Sequence, residues 1–318
     1  KSVAATYVGL AAGPVIGGFL NKYMGWKSIF WFAFFVGVVT LIIAVKELPK
    51  DKKTTNPQKS DIAGNILYIG AIVTTIYGLS NIFNRGYAFP LVALGLFMGF
   101  MFVKVELKAI DPIMEVRLFA NDSIYTLSNI AALLNYGATF AISYLMSIYL
   151  QIVMGYGSEV AGLILIVQPI IMALLSPKAG KMSDKIEPYK LATAGMACCT
   201  IGLFIFANIG LNTKLWVIIL ALMITGLGFA LFSSPNTNAV MSCVEKKDYG
   251  VTSSILATMR TIGQTMSMVI VTVIAGVYIG NTQLTNSDPI IIIKTTHIAF
   301  LVFVVLCFFG TLISFKRK

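Results

Sequence analysis

Arg260, in the segment ATMRTIGQT, is a charged residue inside an apolar run that is long enough to cross a bilayer. If the helix enters the membrane near Val251, Arg260 lies roughly 13 Å deep, at about 1.5 Å per residue. An arginine at mid-bilayer costs roughly 2.5–3.5 kcal/mol on insertion scales, so we expect its side chain to face a cavity or a polar partner. The alternative is that the side chain snorkels to the cytoplasmic headgroups.

Other polar and aromatic residues inside apolar runs are candidates to line a path for a small molecule. They are Asn135, Tyr136, Tyr144, Gln151, Gln168, Asn236 and Gln264. Tyr136, Phe140 and Tyr144 recur every four residues, a spacing that places their rings on one helix face, where they would suit cationic or aromatic drugs. Interhelical hydrogen bonds and core packing are the alternative explanations for these residues.

Residues for enzymatic chemistry do not occur at suitable spacings. The thirteen acidic residues lie in loops or near the ends of apolar runs, and no paired-aspartate or HExxH motif is present. The four cysteines form no CxxC motif, and the single histidine, His297, has no acidic or cysteine neighbour at ligand spacing. The sequence therefore predicts no enzyme, no metal site and no cofactor.

The composition indicates the elements that must position these residues. Hydrophobic residues make up 57% of the 318, charged residues 12%, and the mean hydropathy is +0.85, which is typical of a polytopic, all-α membrane protein. A bilayer core needs about 20 apolar helical residues. Ten runs of about this length occur, near residues 3–20, 27–46, 62–82, 87–105, 123–152, 159–177, 190–210, 215–236, 251–280 and 290–314. We expect the two longest, 123–152 and 251–280, each to form one tilted or kinked helix.

Basic residues alternate between the two sides of these ten crossings. Eighteen lie on the side of both chain ends and five on the other side, so we expect both ends to be cytoplasmic. The net charge of +11 is mostly this topological signal, with anionic lipid headgroups as the expected partner. A nucleic-acid partner is not expected, because the basic residues are dispersed and lack interleaved aromatic residues on one face.

The segment GLAAGPVIGG, residues 9–18, concentrates residues that weaken helices. Gly9, Gly13 and Gly17 are spaced by four, which predicts a groove along one helix face that a neighbouring helix can enter. Pro14 removes one backbone hydrogen bond and is expected to bend the helix. Gly18 extends the pattern.

This segment, continued as GLAAGPVIGGFL and followed by GWKSIFWFAF, closely resembles the antiporter motif of drug:proton antiporters of the major facilitator superfamily. The segments DIAGNILYIGAIVTTIYGLS, YLQIVMGYGSEVAGLIL, SPKAGKMSDKI and GLGFALFSSPNTNAV are similar to the 14-helix branch, the multidrug-efflux and quaternary-ammonium-resistance type. The resemblance covers essentially the whole chain. It implies the major facilitator fold, with the antiporter motif in the fifth of 14 helices.

The resemblance also implies a division of the chain. Residues 1–47 would be the last two helices of the N-terminal half, and residues 61–107 two extra linking helices. The stretches 48–60 and 108–122 would be cytoplasmic linkers, and 123–318 the six-helix C-terminal half. Four helices would be missing from the front. In similar antiporters the proton-binding carboxylate lies in the first of these, and we expect it upstream of Lys1.

A cytoplasmic stretch, GKMSDKIEPYK at residues 180–190, resembles the loop motif of the superfamily. Gly180 would allow a tight turn, while Asp184 and Lys185 would pair across a cytoplasmic gate in one conformation and separate in the other. Lys190 keeps the last basic position, but residues 187–189 depart from the family pattern. A solvated loop is the alternative explanation.

The sequence thus predicts a transporter of the cell membrane that exports drug-like or amphiphilic small molecules in exchange for protons, as a monomer. One alternative is a facilitator-fold carrier of a metabolite. The other is a truncated membrane protein that does not transport.

Overall fold

The computed structural model describes residues 2–47, 61–81, 86–109, 112, 114, 116–245, 248–278 and 288–317. These residues form helices and connecting turns, with no β-strand among them. The helices are α1 (Ser2–Met24), α2 (Lys27–Glu47), α3 (Ile62–Ser80), α4 (Ala88–Glu106), α5 (Val116–Asn121), α6 (Ser123–Thr139), α7 (Ile142–Ile148), α8 (Ser158–Leu165), α9 (Val167–Ser183), α10 (Pro188–Ala207), α11 (Leu215–Ser242), α12 (Tyr249–Tyr278) and α13 (Pro289–Phe315). A π-helical turn, Tyr149–Val153, follows α7.

Nine helical segments of the described chain are long and apolar enough to cross a membrane. α1 is a further helix of 23 residues and continues through Pro14, so the described helices account for all ten predicted runs. The predicted linker 48–60 lies outside the described residues, and the linker 108–122 contains the short α5, which the sequence analysis did not predict. The protein is therefore an all-helical, multi-pass membrane protein.

Acidic residues at the ends of apolar runs start several of these helices. The carboxylates of Asp61, Asp122 and Asp288 accept backbone N–H bonds at the first turns of α3, α6 and α13, with N···O distances of 2.8, 2.9 and 2.8 Å. The first turn of a helix leaves N–H groups without intrahelical partners, and a side-chain oxygen satisfies one of them. These acids are thus helix caps rather than catalytic groups.

The core lies among the helices from α6 onward, where small residues let backbones approach closely. A Cβ on Gly195 of α10 would lie 2.6 Å from the carbonyl oxygen of Gly228 on α11. A Cβ on Gly263 of α12 would lie 3.0 Å from the backbone nitrogen of Gly137 on α6. Close helix packing through small residues is a main source of stability inside a membrane, where apolar burial distinguishes little between helix and lipid.

The long run at 123–152, expected to form one tilted or kinked helix, is divided into α6, α7 and the π-helical turn, and a polar contact from another helix lies at the first division. α6 ends at Thr139 and α7 begins at Ile142. The backbone N–H of Ala141, at the break, donates to the hydroxyl of Ser267 on α12 over 3.1 Å. A backbone group freed inside a bilayer must find an internal partner, and this contact supplies one.

The remaining helices pack on this core to different extents. α1 lies against α8 and α9, whereas α2 has no buried residue. α3 and α4 pack on each other, and the hydroxyl of Tyr68 on α3 donates to Thr258 of α12 over 3.1 Å.

Candidate functional site

A cavity of about 930 Å³ lies between α1 and the helices α6, α7, α9, α11 and α12. Its lining extends to Met241 and Ser253, near the end of α11 and the start of α12. These ends are on the predicted cytoplasmic side. The size is in the range of small-molecule sites, which bury most of a drug-sized ligand.

The lining residues of α11 and α12 follow helical spacing. α11 contributes Phe229, Phe232, Ser233, Asn236, Thr237 and Met241, and α12 contributes Ser253, Leu256, Ala257, Arg260, Gln264 and Met268. Steps of three and four residues place each set on one helix face. The sequence was not used to predict the aromatic and hydroxyl residues of α11 as lining residues. Their helical spacing from Asn236 could have identified them.

Arg260 lines the cavity and is exposed. Its guanidinium carbon lies 6.0 Å from the centre of the Tyr136 ring, a cation–π distance. The Tyr136 ring in turn contacts Phe229 edge to face, with 5.3 Å between ring centres. Among the described residues that line the cavity, Arg260 is the single charged one. Arg260, the predicted intramembrane charge, therefore lies beside a pair of aromatic rings.

Five of the seven predicted path residues line the cavity: Tyr136, Tyr144, Gln168, Asn236 and Gln264. The structure corrects the other two. Asn135 is buried beside the Cys199 thiol of α10, on the face of α6 that points into the helix core. Gln151 lies in the π-helical turn, where its amide nitrogen donates to the backbone and hydroxyl of Ser147 over 3.1 and 2.9 Å.

The three glycines of α1 that are spaced by four do not make the predicted contact with a neighbouring helix. A Cβ on Gly9, Gly13 or Gly17 would meet no described atom within 4 Å, and Gly9 and Gly13 line the cavity. The expected helix contact lies instead on the adjacent face. Residues 14 and 18 are each one position further along, which turns them by about 100° around a helix with 3.6 residues per turn.

The close contact of α1 is with α8. A Cβ on Gly18 would lie 2.7 Å from the backbone oxygen of Ser158, and a Cβ on Gly162 would collide with the backbone oxygen of Pro14. One turn beyond, the ammonium group of Lys22 pairs with the Glu159 carboxylate over 2.6 Å. These ends of α1 and α8 are both on the predicted outer side, away from the lining ends of α11 and α12.

The stretch 180–190 does not form the expected turn at Gly180. This residue lies within α9, where its missing side chain allows α11 to approach, since a Cβ would lie 3.0 Å from the Ser234 hydroxyl. Asp184 and Lys185 are exposed, and neither takes part in the ion pairs found among the described residues. Lys190 pairs with Glu187, three residues earlier, over 2.8 Å. Pairing across a gate remains a prediction.

Arg317 is buried, although its place beyond the last apolar run predicted only one of the cytoplasmic basic charges. Its side chain is 1% exposed, and one guanidinium nitrogen donates to Asn236 Oδ1 over 2.6 Å and to the Ser128 hydroxyl over 3.2 Å. The amide nitrogen of Asn236 donates to the Ser128 carbonyl over 3.2 Å. Burial lowers the pKa of Arg317 to about 10, so the group is charged at neutral pH. Asn236 thus holds Arg317 at the predicted cytoplasmic end of the cavity.

We expect Asn236→Ala to lower the free energy of unfolding by about 1.5–3 kcal/mol, the range for hydrogen bonds to charged groups. The substitution removes the closer of the two acceptors of a buried cation whose other nitrogens have no hydrogen-bond partner among the described residues. Arg317→Met should cost less, because it also removes the buried charge. The measurement is thermal unfolding of the purified protein, with Asn238→Ala as the control, since that amide donates to the neutral Ser183 hydroxyl. Equal effects of the Asn236 and Asn238 variants would contradict this account.

The chain is similar in sequence to known transport and multidrug resistance proteins. The chain is 30% identical over 259 residues to the riboflavin transporter RibZ of Clostridioides difficile (strain 630), covering 81% of this chain and 56% of that protein. It is 28% identical over 289 residues to the multidrug transporter protein MdtP of Bacillus subtilis (strain 168), covering 88% and 53%. It is 25% identical over 273 residues to the multidrug resistance protein Stp of Mycobacterium tuberculosis (strain ATCC 25618 / H37Rv), covering 84% and 50%.

The chain spans about half the length of these curated relatives. The family model described as Major Facilitator Superfamily matches residues 2–267 and 128–318, which together cover nearly the whole chain. The relatives are transporters and not enzymes. With its all-helical fold and a cavity between its helices, the chain belongs to the Major Facilitator Superfamily.

Proposed function

We propose that this chain forms part of a cell-membrane transporter that exports amphiphilic small molecules in exchange for protons, by alternating access. The observation that carries the proposal is the cavity between α1 and the later helices, whose lining combines aromatic rings, hydroxyls and Arg260. Small-molecule pockets are commonly lined by apolar and aromatic side chains with a few polar groups, and this lining has that composition. The multidrug names of MdtP and Stp favour such substrates.

The positions of the helix contacts support a state in which the cavity is open to the cytoplasm and closed on the outer side. The lining extends to the predicted cytoplasmic ends of α11 and α12, while Gly18 and Lys22 of α1 contact α8 on the predicted outer side. In alternating access one end of the pathway closes while the other opens. The α1–α8 contact would then be the outer seal, which must separate to release substrate.

We assign the helices to the 14-helix branch as the resemblance implies. α1 and α2 would be its fifth and sixth helices, α3 and α4 the linking pair, and α6 to α13 the C-terminal half. The packing of α3 on α4 and the hydrogen bond from Tyr68 to Thr258 support a linking pair that lies against the C-terminal half.

A carrier of an aromatic metabolite is the second candidate function. It is favoured by the identity with RibZ, a riboflavin transporter, which is the highest among the relatives described above. The two functions share the cavity and differ in substrate and in the role of protons.

The test uses inside-out vesicles from cells that express the complete coding sequence, with an imposed pH gradient, acid inside. We expect the gradient to drive uptake of an amphiphilic dye, and Gly13→Leu to abolish it, because the new side chain would project into the cavity. Vesicles without the protein and vesicles with a collapsed gradient are the controls. Uptake of riboflavin but of no drug would favour the metabolite carrier, and no uptake of any substrate would refute transport.

A further inference from the structure

The charge of the described cavity lining constrains what can bind beside Arg260. Arg260 supplies a positive charge, and no Asp or Glu occurs among the described lining residues. The ion pairs of the described chain, Lys22 with Glu159 and Lys190 with Glu187, leave Arg260 out. A ligand group of opposite charge is attracted to this guanidinium at short range.

The ring face that would bind a cationic drug is already used by the protein. The Arg260 guanidinium lies over Tyr136 at 6.0 Å, and Phe229 contacts the same ring. A cationic substrate at this ring would have to displace a covalently attached cation and approach it closely. The rings of Phe140 and Tyr144 are more accessible, with 46% and 39% of their surface exposed.

The groups around Arg260 are suited to an anion. A guanidinium presents a planar set of N–H donors that matches a carboxylate or a similar delocalised anion. Gln264 lies one helical turn beyond Arg260, and Ser233 and Thr237 line the cavity from α11. The hydroxyls of Tyr136 and Ser233 are 3.5 Å apart, so the ring and α11 meet beside the charge.

We infer that the cavity selects aromatic anions, with the acidic group on Arg260 and the rings against Phe140 and Tyr144. The inference rests on the proposed function, because it names the substrate class of the same cavity. The spacing of the rings suggested cationic or aromatic drugs. The inference keeps the aromatic part of that expectation and replaces the cation with an anion.

Two xanthene dyes of similar size and opposite charge test the inference. Fluorescein is an anion and rhodamine 123 a cation at pH 8. Binding to the protein from its complete coding sequence is measured by fluorescence anisotropy in nanodiscs of zwitterionic lipid, with empty nanodiscs subtracted. We expect fluorescein to bind at least ~10-fold more tightly than rhodamine 123, as for a single charge acting at short range.

Variants of Arg260 show whether this side chain causes the preference for fluorescein over rhodamine 123. We expect Arg260→Gln to reduce the preference for fluorescein to less than ~3-fold, and Arg260→Lys to keep part of it, because lysine retains the charge without the planar donors. Lys294→Gln is the control: it removes a positive charge that lies over Tyr278 at 5.0 Å and outside the cavity lining, so the preference should not change.

Equal binding of the two dyes, tighter binding of rhodamine 123, or an unchanged preference in Arg260→Gln would each overturn the inference. The same dyes in the vesicle assay separate it from the proposed function. Transport of rhodamine 123 with no preference for fluorescein would refute the substrate class and leave transport standing. Selective binding of fluorescein, without movement of any substrate, would support the substrate class and refute transport.

Discussion

Gly18→Leu is expected to slow substrate export by roughly 10-fold or more while the protein still inserts into the membrane. Gly18 is buried, and a Cβ there would lie 2.7 Å from a backbone oxygen of α8, which no side-chain rotation can relieve. Overpacking at such a contact costs about 1–3 kcal/mol, and about 1.4 kcal/mol lowers the equilibrium constant for closing the seal tenfold. Export slows because less of the protein is in the cytoplasm-facing arrangement that takes up substrate. The measurement is the initial export rate in energised cells, normalised to the amount of protein in the membrane.

Gly37→Leu is the matched control for this variant. Gly37 lies in the middle of α2, and a Cβ there would meet no described atom within 4 Å. The same change in side-chain volume and helix propensity is therefore made away from the α1–α8 contact, and export should stay close to the parental rate. Normal export by the Gly18 variant at equal expression would show that the contact is not a seal.

Arg260→Gln is expected to abolish proton movement driven by substrate, whereas Arg260→Lys should retain part of it. A positive charge in the cavity favours release of a proton from an acidic group that approaches it during the transport cycle. Glutamine removes that charge, while lysine keeps it but loses the planar donors and the contact with Tyr136 that they make. The measurement is the pH change inside vesicles that contain the complete protein after substrate is added.

Lys294→Gln again serves as the control, because Lys294 is a basic residue outside the cavity lining. It should leave proton movement unchanged. If the Arg260→Gln protein exchanges substrate for protons at the parental rate, Arg260 has no part in coupling. Substrate movement without proton movement in this variant would instead place Arg260 in the coupling step and not in substrate binding alone.

The sequence predicted the helices well because a bilayer allows few backbone conformations other than the helix. Backbone groups inside it must bond within the chain, so a long apolar run becomes a helix. The run near 215–236 was predicted too short, since α11 continues to Ser242 through Pro235. Its last turns carry polar residues that contact other helices, as Asn236 does with Ser128 and Asn238 with Ser183.

The sequence made its most specific prediction for the candidate site where one residue is costly to place in lipid. Arg260 cannot face lipid cheaply, and this alone led to the expectation of a cavity or a partner. For Asn135 and Tyr136 the sequence offered no such distinction. They are neighbours on α6, but one points to α10 and the other to the cavity, so only the tertiary packing separates a buried residue from a lining residue.

Composition and spacing by themselves determined that the chain crosses a membrane repeatedly, where the crossings lie and which side chains share a helix face. These properties depend on the solvent and on the geometry of a single helix. The tertiary structure alone decided which face each helix presents to its neighbours. It placed Pro14 and Gly18 against α8, left Gly9 and Gly13 to the cavity, and buried Arg317 against Asn236. The physical reason is that glycines permit close approach on any face, and the face that is used depends on the backbone of the partner helix. For α1 that partner is α8, where Ser158 lies 140 residues from Gly18 in the chain.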